Sequence, residues 1–311
     1  MNVKKVVLSC MAASMIILLG GYSVSKAAEK SSEPKTALSP EKNTSKKIVM
    51  VGAANTRDLG GIVTKDGASI KKNKLIRSGE LADLVPLDKE RLVNDFKLTN
   101  IVDLRTDSEV ASKPDPEIEN VKNFHYGVMK DSGVTASQED FYKNLDKVNG
   151  VEYMEKINEE LVTDPTAREN YKKFFDVLLA SENGSTLWHC TAGKDRAGFA
   201  TMLVLSALGV DKKSIFEDYL SSNKYRKSEN EKTIEQVKEA TNDNKGAVEN
   251  ITAMMEVRKS YLQTAYDTME KEYGGVNGYL KKGLGLTNKD ISNLKAIYLT
   301  KNWSSTYQST P

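Results

Sequence analysis

Apolar and polar positions divide the chain into short buried runs and longer periodic segments. LTNIVDLR (98–105) is a short apolar run that ends in charges, the pattern of a buried strand, and VKNFHYGV (121–128) and GSTLWHC (184–190), the last bounded by Gly184, are two further strand candidates. PLDKERLVNDFK carries helical spacing with Pro86 near its start, and RAGFATMLVLSALG is an apolar helix that closes on Gly209. The last hundred residues are helix-rich. The stretches from Lys212 to Ala240 and from Val248 to Gly274 hold apolar residues three and four apart, followed by GYLKKGLG and NKDISNLKAIYLT. SKPDPEIEN is proline-rich and reads as a loop, while residues 134–165 are charged, helix-prone and without a strand partner, as in an inserted helical cap. Strands alternating with helices predict an α/β domain with a central, mostly parallel sheet flanked by helices.

The first residues follow a different rule. Lys4 and Lys5 precede an apolar run that ends near Ala27, so residues 1–27 are expected to be a signal peptide, with an uncleaved anchor as the alternative. Residues 28–46 are polar and rich in Ser and Pro, a flexible spacer. The folded body is then expected over 47–303, with a tail at 304–311. A secreted protein with no stable membrane anchor after cleavage follows from this reading.

Composition is that of an ordinary globular protein, 39% hydrophobic and 28% charged over 311 residues. Without the leader, 42 basic residues stand against 43 acidic ones, so net charge offers no reason to expect a nucleic-acid partner. Only two cysteines are present. Cys10 leaves with the leader, which excludes an intramolecular disulfide in the mature chain. His125 and His189 are the only histidines and there is no CxxC, so neither a metal site nor a cofactor is expected.

The remaining cysteine lies in HCTAGKDRAG (189–198), between a predicted strand and a predicted helix. A loop in that position cradles an anion. Its N–H groups converge, and the following helix brings its positive end. Five residues separate Cys190 from Arg196, so both can face one phosphate. A thiol among N–H donors beside an arginine is expected to ionise readily and act as a nucleophile. Arg196 offers a fork that matches two phosphate oxygens. The alternative for Cys190 is a buried structural thiol, and that for His189 is a brace for the loop. An arginine, a lysine and a glycine within six residues of Cys190 favour chemistry.

HCTAGKDRAG resembles the signature of cysteine-dependent protein tyrosine phosphatases, and its AGKDR form resembles the bacterial atypical branch, some of whose members are secreted and also act on phosphoinositides. NTRDLGG (55–61), KLIRSGEL (74–81), VDLRTDSEV (102–110), FEDYLSSN (216–223) and EKEYGGVNGYL (270–280) carry the resemblance in the same order across about residues 48–300. It implies Cys190 as nucleophile, Arg196 as phosphate binder and the backbone of Thr191, Ala192, Gly193, Lys194 and Asp195 as the cradle. It also implies a phosphorylated protein or a phosphoinositide as substrate. By alignment, Asp131 is the expected general acid, with Asp195 as the rival and a solvated turn cap as the alternative. Lys194 would dock a second phosphate or serve only as a loop charge. Arg57, Arg77 and Arg105 would either ring the pocket or brace the fold through acidic partners, and Asp58 and Asp103 would hold loop and strand in place. Ala197 departs from the Ser or Thr usual after the arginine, which raises a phosphate-binding module without turnover as a second function. A sulfurtransferase is a third.

Overall fold

The computed structural model describes residues 43–131 and 137–300. The expected signal peptide, most of the spacer, residues 134–136 of the expected cap and the C-terminal tail lie outside the described residues.

Six strands form one sheet: β1 (Lys46–Lys47), β2 (Arg57–Asp58), β3 (Leu75–Ser78), β4 (Leu98–Asp103), β5 (Lys122–His125) and β6 (Ser185–His189). Their order is β1-β2-β3-β6-β4-β5. β3, β6, β4 and β5 run parallel, and β1 and β2 add an antiparallel edge. The mostly parallel α/β sheet expected from the sequence is therefore present. β3, the immediate neighbour of β6, was not visible in the pattern. It is only four residues long, and its Arg77 breaks the apolar run.

Alternation along the parallel strands builds two cores. Ile76, Ile101 and Leu187 join Leu92 of α1 (Pro86–Asn94) on one face. Leu75, Val102 and Trp188 face α5 (Pro165–Ala180) and α6 (Arg196–Leu208) on the other. Every residue of α6 except Ser206 is buried. That explains its apolar composition all round, since such a helix is stable only with protein on all sides. It ends at Gly209, whose φ of +91° is the left-handed cap a glycine supplies at least cost.

The described part of the expected cap forms α3 (Gln138–Asn144) and α4 (Gly150–Thr163). Phe141 and Met154 pack with residues from far down the chain, including Val237 of α8 (Lys227–Ala240), Ile251 and Met254 of α9 (Lys245–Met255) and Tyr261 of α10 (Lys259–Tyr273). The cap segment thus shares a core with C-terminal helices. Each of the two long periodic stretches is two helices. α7 (Lys212–Tyr225) gives way to α8 at Arg226, and α9 gives way to α10 over 256–258. Neither break has a Gly or Pro to announce it. Asn223 pins the second, accepting from the Val257 N–H and donating to the Val257 carbonyl, both at 2.8 Å. A short helical turn over Val276–Gly278 and one π-helical stretch at Tyr279–Gly283 lead to the last helix, α11 (Asn288–Tyr298).

Candidate active site

The parallel strands end level with one another. Ser78 of β3 and Asp103 of β4 both lie opposite His189 of β6. Ligands of parallel sheets bind beyond these carboxyl ends, and residues 190–195 begin there, leading directly into α6.

The loop is held from behind by its carbonyl oxygens. Asn55 donates to the Ala192 and Gly193 carbonyls at 3.1 and 3.0 Å. Arg77 donates to the Gly193 and Lys194 carbonyls at 2.9 and 3.0 Å. Arg226 donates to the Ala192 carbonyl at 3.2 Å, and the Glu80 N–H takes the Thr191 carbonyl at 2.9 Å. With four successive carbonyls engaged on the outside, the loop's N–H groups are left to the inside, the arrangement of an anion nest. Gly193 is required by this packing. Its φ is +66°, and a Cβ there would lie 2.2 Å from the Ser78 carbonyl oxygen.

Arg57 and Arg77 are braces, not pocket walls. Both are fully buried and both bind Asp218 of α7, at 2.9 and 2.8 Å. The two guanidiniums and the Asn55 amide form the frame on which the loop rests, since Arg57 also donates to Asn55. Burial tends to raise the Asp218 carboxyl, but the two arginines hold it below the usual carboxylate range. Arg105 likewise binds Asp103 and Asp115, at 2.7 and 2.8 Å. Asp58 accepts from the Gly60 and Asn73 N–H groups at 2.9 Å each, holding the turn before β3.

Cys190 is a free thiol, 1% exposed, at the foot of the loop. Arg196 opens α6 beside it, and its two terminal nitrogens donate to the two oxygens of Glu109, in α2 (Asp107–Ser112). The Thr191 hydroxyl donates to the same carboxylate at 2.5 Å. Burial favours the neutral acid at Glu109, yet the Arg196 charge and these hydrogen bonds pull its carboxyl down to about 2. Sequence reasoning missed Glu109. It lies inside the matched VDLRTDSEV stretch, but nothing local shows that it faces a residue 87 positions on.

The other expected site residues fall out as follows. The Lys194 side chain is 1% exposed, and its ammonium lies 2.9 Å from Asp195 and 3.2 Å from the Glu256 carbonyl oxygen. Burial holds it below the ordinary lysine value. The lysine is therefore a buried strut between the loop and the α9–α10 break, and a second phosphate would have to displace both partners. Asp195 is partly buried at the head of α6, tied to Lys194. Asp131 is exposed and accepts from the Ser108 hydroxyl and, at 3.2 Å, from the Ser108 N–H. Burial tends to raise its carboxyl, but these bonds together hold it below the ordinary value. Ser108 precedes Glu109, which puts Asp131 one residue from the Arg196 clamp. Ala197, where the resemblance led to an expected Ser or Thr, is fully buried. A small cavity beside the loop is lined by Ala53, Ala54, Gly79, Thr191, Ala192, Arg226 and Met255, among others.

A cysteine and a clamped arginine thus flank a nest of N–H groups at the carboxyl edge of a parallel sheet. The family model for the tyrosine phosphatase family matches residues 48–300. The chain belongs to the tyrosine phosphatase family. It is 31% identical over 247 residues to a Cupriavidus necator protein that carries a tyrosine-protein phosphatase name, covering 79% of this chain and 86% of that one. It is 27% identical over 275 residues to the triple specificity protein phosphatase PtpB of Mycobacterium tuberculosis, covering 80% of this chain and 97% of the relative. A tyrosine-protein phosphatase of Nostoc commune is 25% identical over 232 residues, covering 73% of this chain and 74% of that one.

Proposed function

We propose that the protein is a secreted phosphatase that hydrolyses phosphomonoesters, phosphotyrosine in proteins first among them, through a phosphocysteine intermediate. The observation that carries the reading is the outward anchoring of the loop carbonyls by Asn55, Arg77, Arg226 and Glu80. It leaves N–H donors, Arg196 and Cys190 for one phosphate. The Cys190 sulfur attacks phosphorus and the ester P–O bond breaks. The leaving oxygen takes a proton from a carboxylic acid. Water then cleaves the S–P bond, releasing inorganic phosphate and regenerating the thiolate. No step in this sequence requires a metal or an organic cofactor. The leaving group would rest against Ala53, Ala54 and Met255 in the adjoining cavity.

Asp131 is the acid by alignment, once it is freed from Ser108. One observation favours Asp195 as a second reading. Its position is set by the loop itself, with both oxygens facing the Lys194 ammonium, whereas Asp131 hangs from Ser108 on an exposed loop. Action on phosphoserine, phosphothreonine and phosphoinositides is supported by the family resemblance and by the triple specificity in the name of one relative. The buried Lys194 lends that breadth no support. Export rests on the N-terminal pattern alone, and fractionation of a culture expressing the full chain tests it.

The deciding assay is hydrolysis of p-nitrophenyl phosphate and a phosphotyrosine peptide by purified protein. Steady turnover lost in Cys190→Ser supports the reading. Phosphate binding without turnover in the wild type would replace it with the binding module that Ala197 suggests, and thiosulfate-to-cyanide sulfur transfer would point to the sulfurtransferase.

A further inference from the structure

The proline-rich loop SKPDPEIEN has a role that the mechanism above leaves unused. Pro114 and Pro116 bracket Asp115. The first proline fixes its own φ, and the second confines Asp115 to extended backbone, so the side chain is delivered in a narrow range of directions. Arg105 completes the placement by donating to the Lys113 carbonyl and to Asp115 Oδ1, both at 2.8 Å. The other carboxylate oxygen, Oδ2, lies 2.7 Å from Nε2 of His189, which is fully buried. The second ring nitrogen, Nδ1, faces the Cys190 carbonyl oxygen at 3.3 Å.

Both nitrogens of this imidazole therefore face acceptors. A neutral imidazole has one donor and one acceptor nitrogen, so only the doubly protonated ring satisfies both contacts. The charged groups around the ring agree with that. Burial opposes the charge and Arg105 adds to the opposition, but Asp103, 3.8 Å away, and Asp115 together raise the imidazole above its ordinary value. Asp103, Asp115 and His189 are of metal-ligating type, but the Arg105 guanidinium already joins the two carboxylates and supplies the positive charge there.

We propose that Asp115 is a positioning residue for the nucleophile: through His189 it keeps a positive charge one peptide behind Cys190 and tethers that residue's carbonyl, so that the sulfur is a thiolate over a wider pH range. The proposal rests on the reading of Cys190 as nucleophile. Its test does not need turnover.

The measurement is the rate of alkylation of Cys190 by iodoacetate as a function of pH, followed at the Cys190 peptide by mass spectrometry. Asp115→Asn keeps an oxygen for Nε2 and removes the charge. It should move the alkylation midpoint up by about one pH unit, so that reaction well below the midpoint slows roughly tenfold. Asp115→Glu, which keeps the charge, should stay near the wild-type midpoint. In a His189→Gln background, Asp115→Asn should add no further shift. The acid limb of kcat/KM for p-nitrophenyl phosphate should move in the same direction. A midpoint unmoved by Asp115→Asn in folded protein overturns the proposal, as does an equal shift with and without His189. If Asp115→Asn does not fold, His189→Gln alone decides, because an unmoved midpoint there is equally fatal. Failure of Cys190→Ser to abolish hydrolysis would sink the phosphatase reading and leave this result standing.

Discussion

Glu109 holds both terminal nitrogens of Arg196 while also accepting from the Thr191 hydroxyl. The guanidinium is thereby aimed before any phosphate arrives. One terminal nitrogen also lies 3.3 Å from the Thr191 hydroxyl of the loop, and the entropic cost of ordering a long side chain is met in the folded resting state. Glu109→Ala should leave a buried guanidinium without its partner and cost about 3–5 kcal/mol in urea unfolding. Glu109→Gln keeps the shape and loses the charge. It should raise the dissociation constant for vanadate and lower kcat/KM, with a smaller loss of stability than the alanine variant. Unchanged vanadate binding in Glu109→Gln would mean that the carboxylate serves the fold alone.

The same pair makes an acid-stability prediction. The Glu109 carboxyl is held at about 2 in the fold, below its ordinary value of 4.5. Its folded form binds protons less readily than its unfolded form. The stabilisation it adds is therefore complete above pH 4.5 and is lost as pH falls from 4.5 through 2. Urea midpoints measured across that window should fall more steeply for the wild type than for Glu109→Gln. Parallel slopes would remove Glu109 from the acid response.

The nucleophile and its phosphate fork give the severest losses. Cys190→Ser should abolish turnover and keep binding of phosphate analogues, because the loop's N–H groups are untouched. Arg196→Lys should also be severe, since one ammonium cannot meet two Glu109 oxygens and two phosphate oxygens together. Near-wild-type rates in either variant would refute the assignment.

Leaving-group dependence separates the two candidate acids. The acid's Asp→Asn variant should lose roughly 10²–10⁴ in rate on alkyl phosphates and much less on p-nitrophenyl phosphate. The comparison is run on Asp131→Asn and Asp195→Asn side by side. Whichever variant loses equally on both substrates is structural. The buried setting of Lys194 leads to a related expectation, that Lys194→Ala lowers phosphotyrosine and phosphoinositide hydrolysis alike. A loss confined to phosphoinositides would show that the ammonium leaves its partners for substrate.

Ala197 bears on the second half-reaction. A hydroxyl there would stabilise the sulfur as it leaves phosphorus, a charged hydrogen bond contributing about 1.5–3 kcal/mol. Thr191 does not replace it, because its single proton already goes to Glu109. Phosphoenzyme breakdown should then be slowed on the order of ten- to a hundredfold, with a burst of first product. Ala197→Ser should raise kcat and shrink the burst in stopped-flow measurements. No burst in either protein, with equal kcat, would show that the hydroxyl is kinetically silent.

Local chemistry determined a good part of this protein. The buried strands at 98–103 and 185–189 follow from short apolar runs, α6 and its glycine cap from composition and a stop signal, and the placing of Cys190 and Arg196 at the two ends of one loop from its position between strand and helix; the edge strand at 122–125 is mostly exposed, so its strand character shows in sequence only as a short candidate run. All of these depend on residues within a few positions of one another, where backbone preference and spacing suffice. Tertiary structure alone decided what each charge meets. Arg57 and Arg77 are blind to Asp218 until α7 is folded against the sheet, more than 140 residues on. Lys194 reads in sequence as a dock for a second phosphate or as a plain loop charge; it is a buried strut because the unannounced break between α9 and α10 offers it a carbonyl. Glu109 and Asp115 took their places beside Arg196 and His189 because parallel strands bring their carboxyl ends level, which no pattern along one strand can record. Burial makes these pairings strong, and burial belongs to the assembled sheet and helices rather than to any segment.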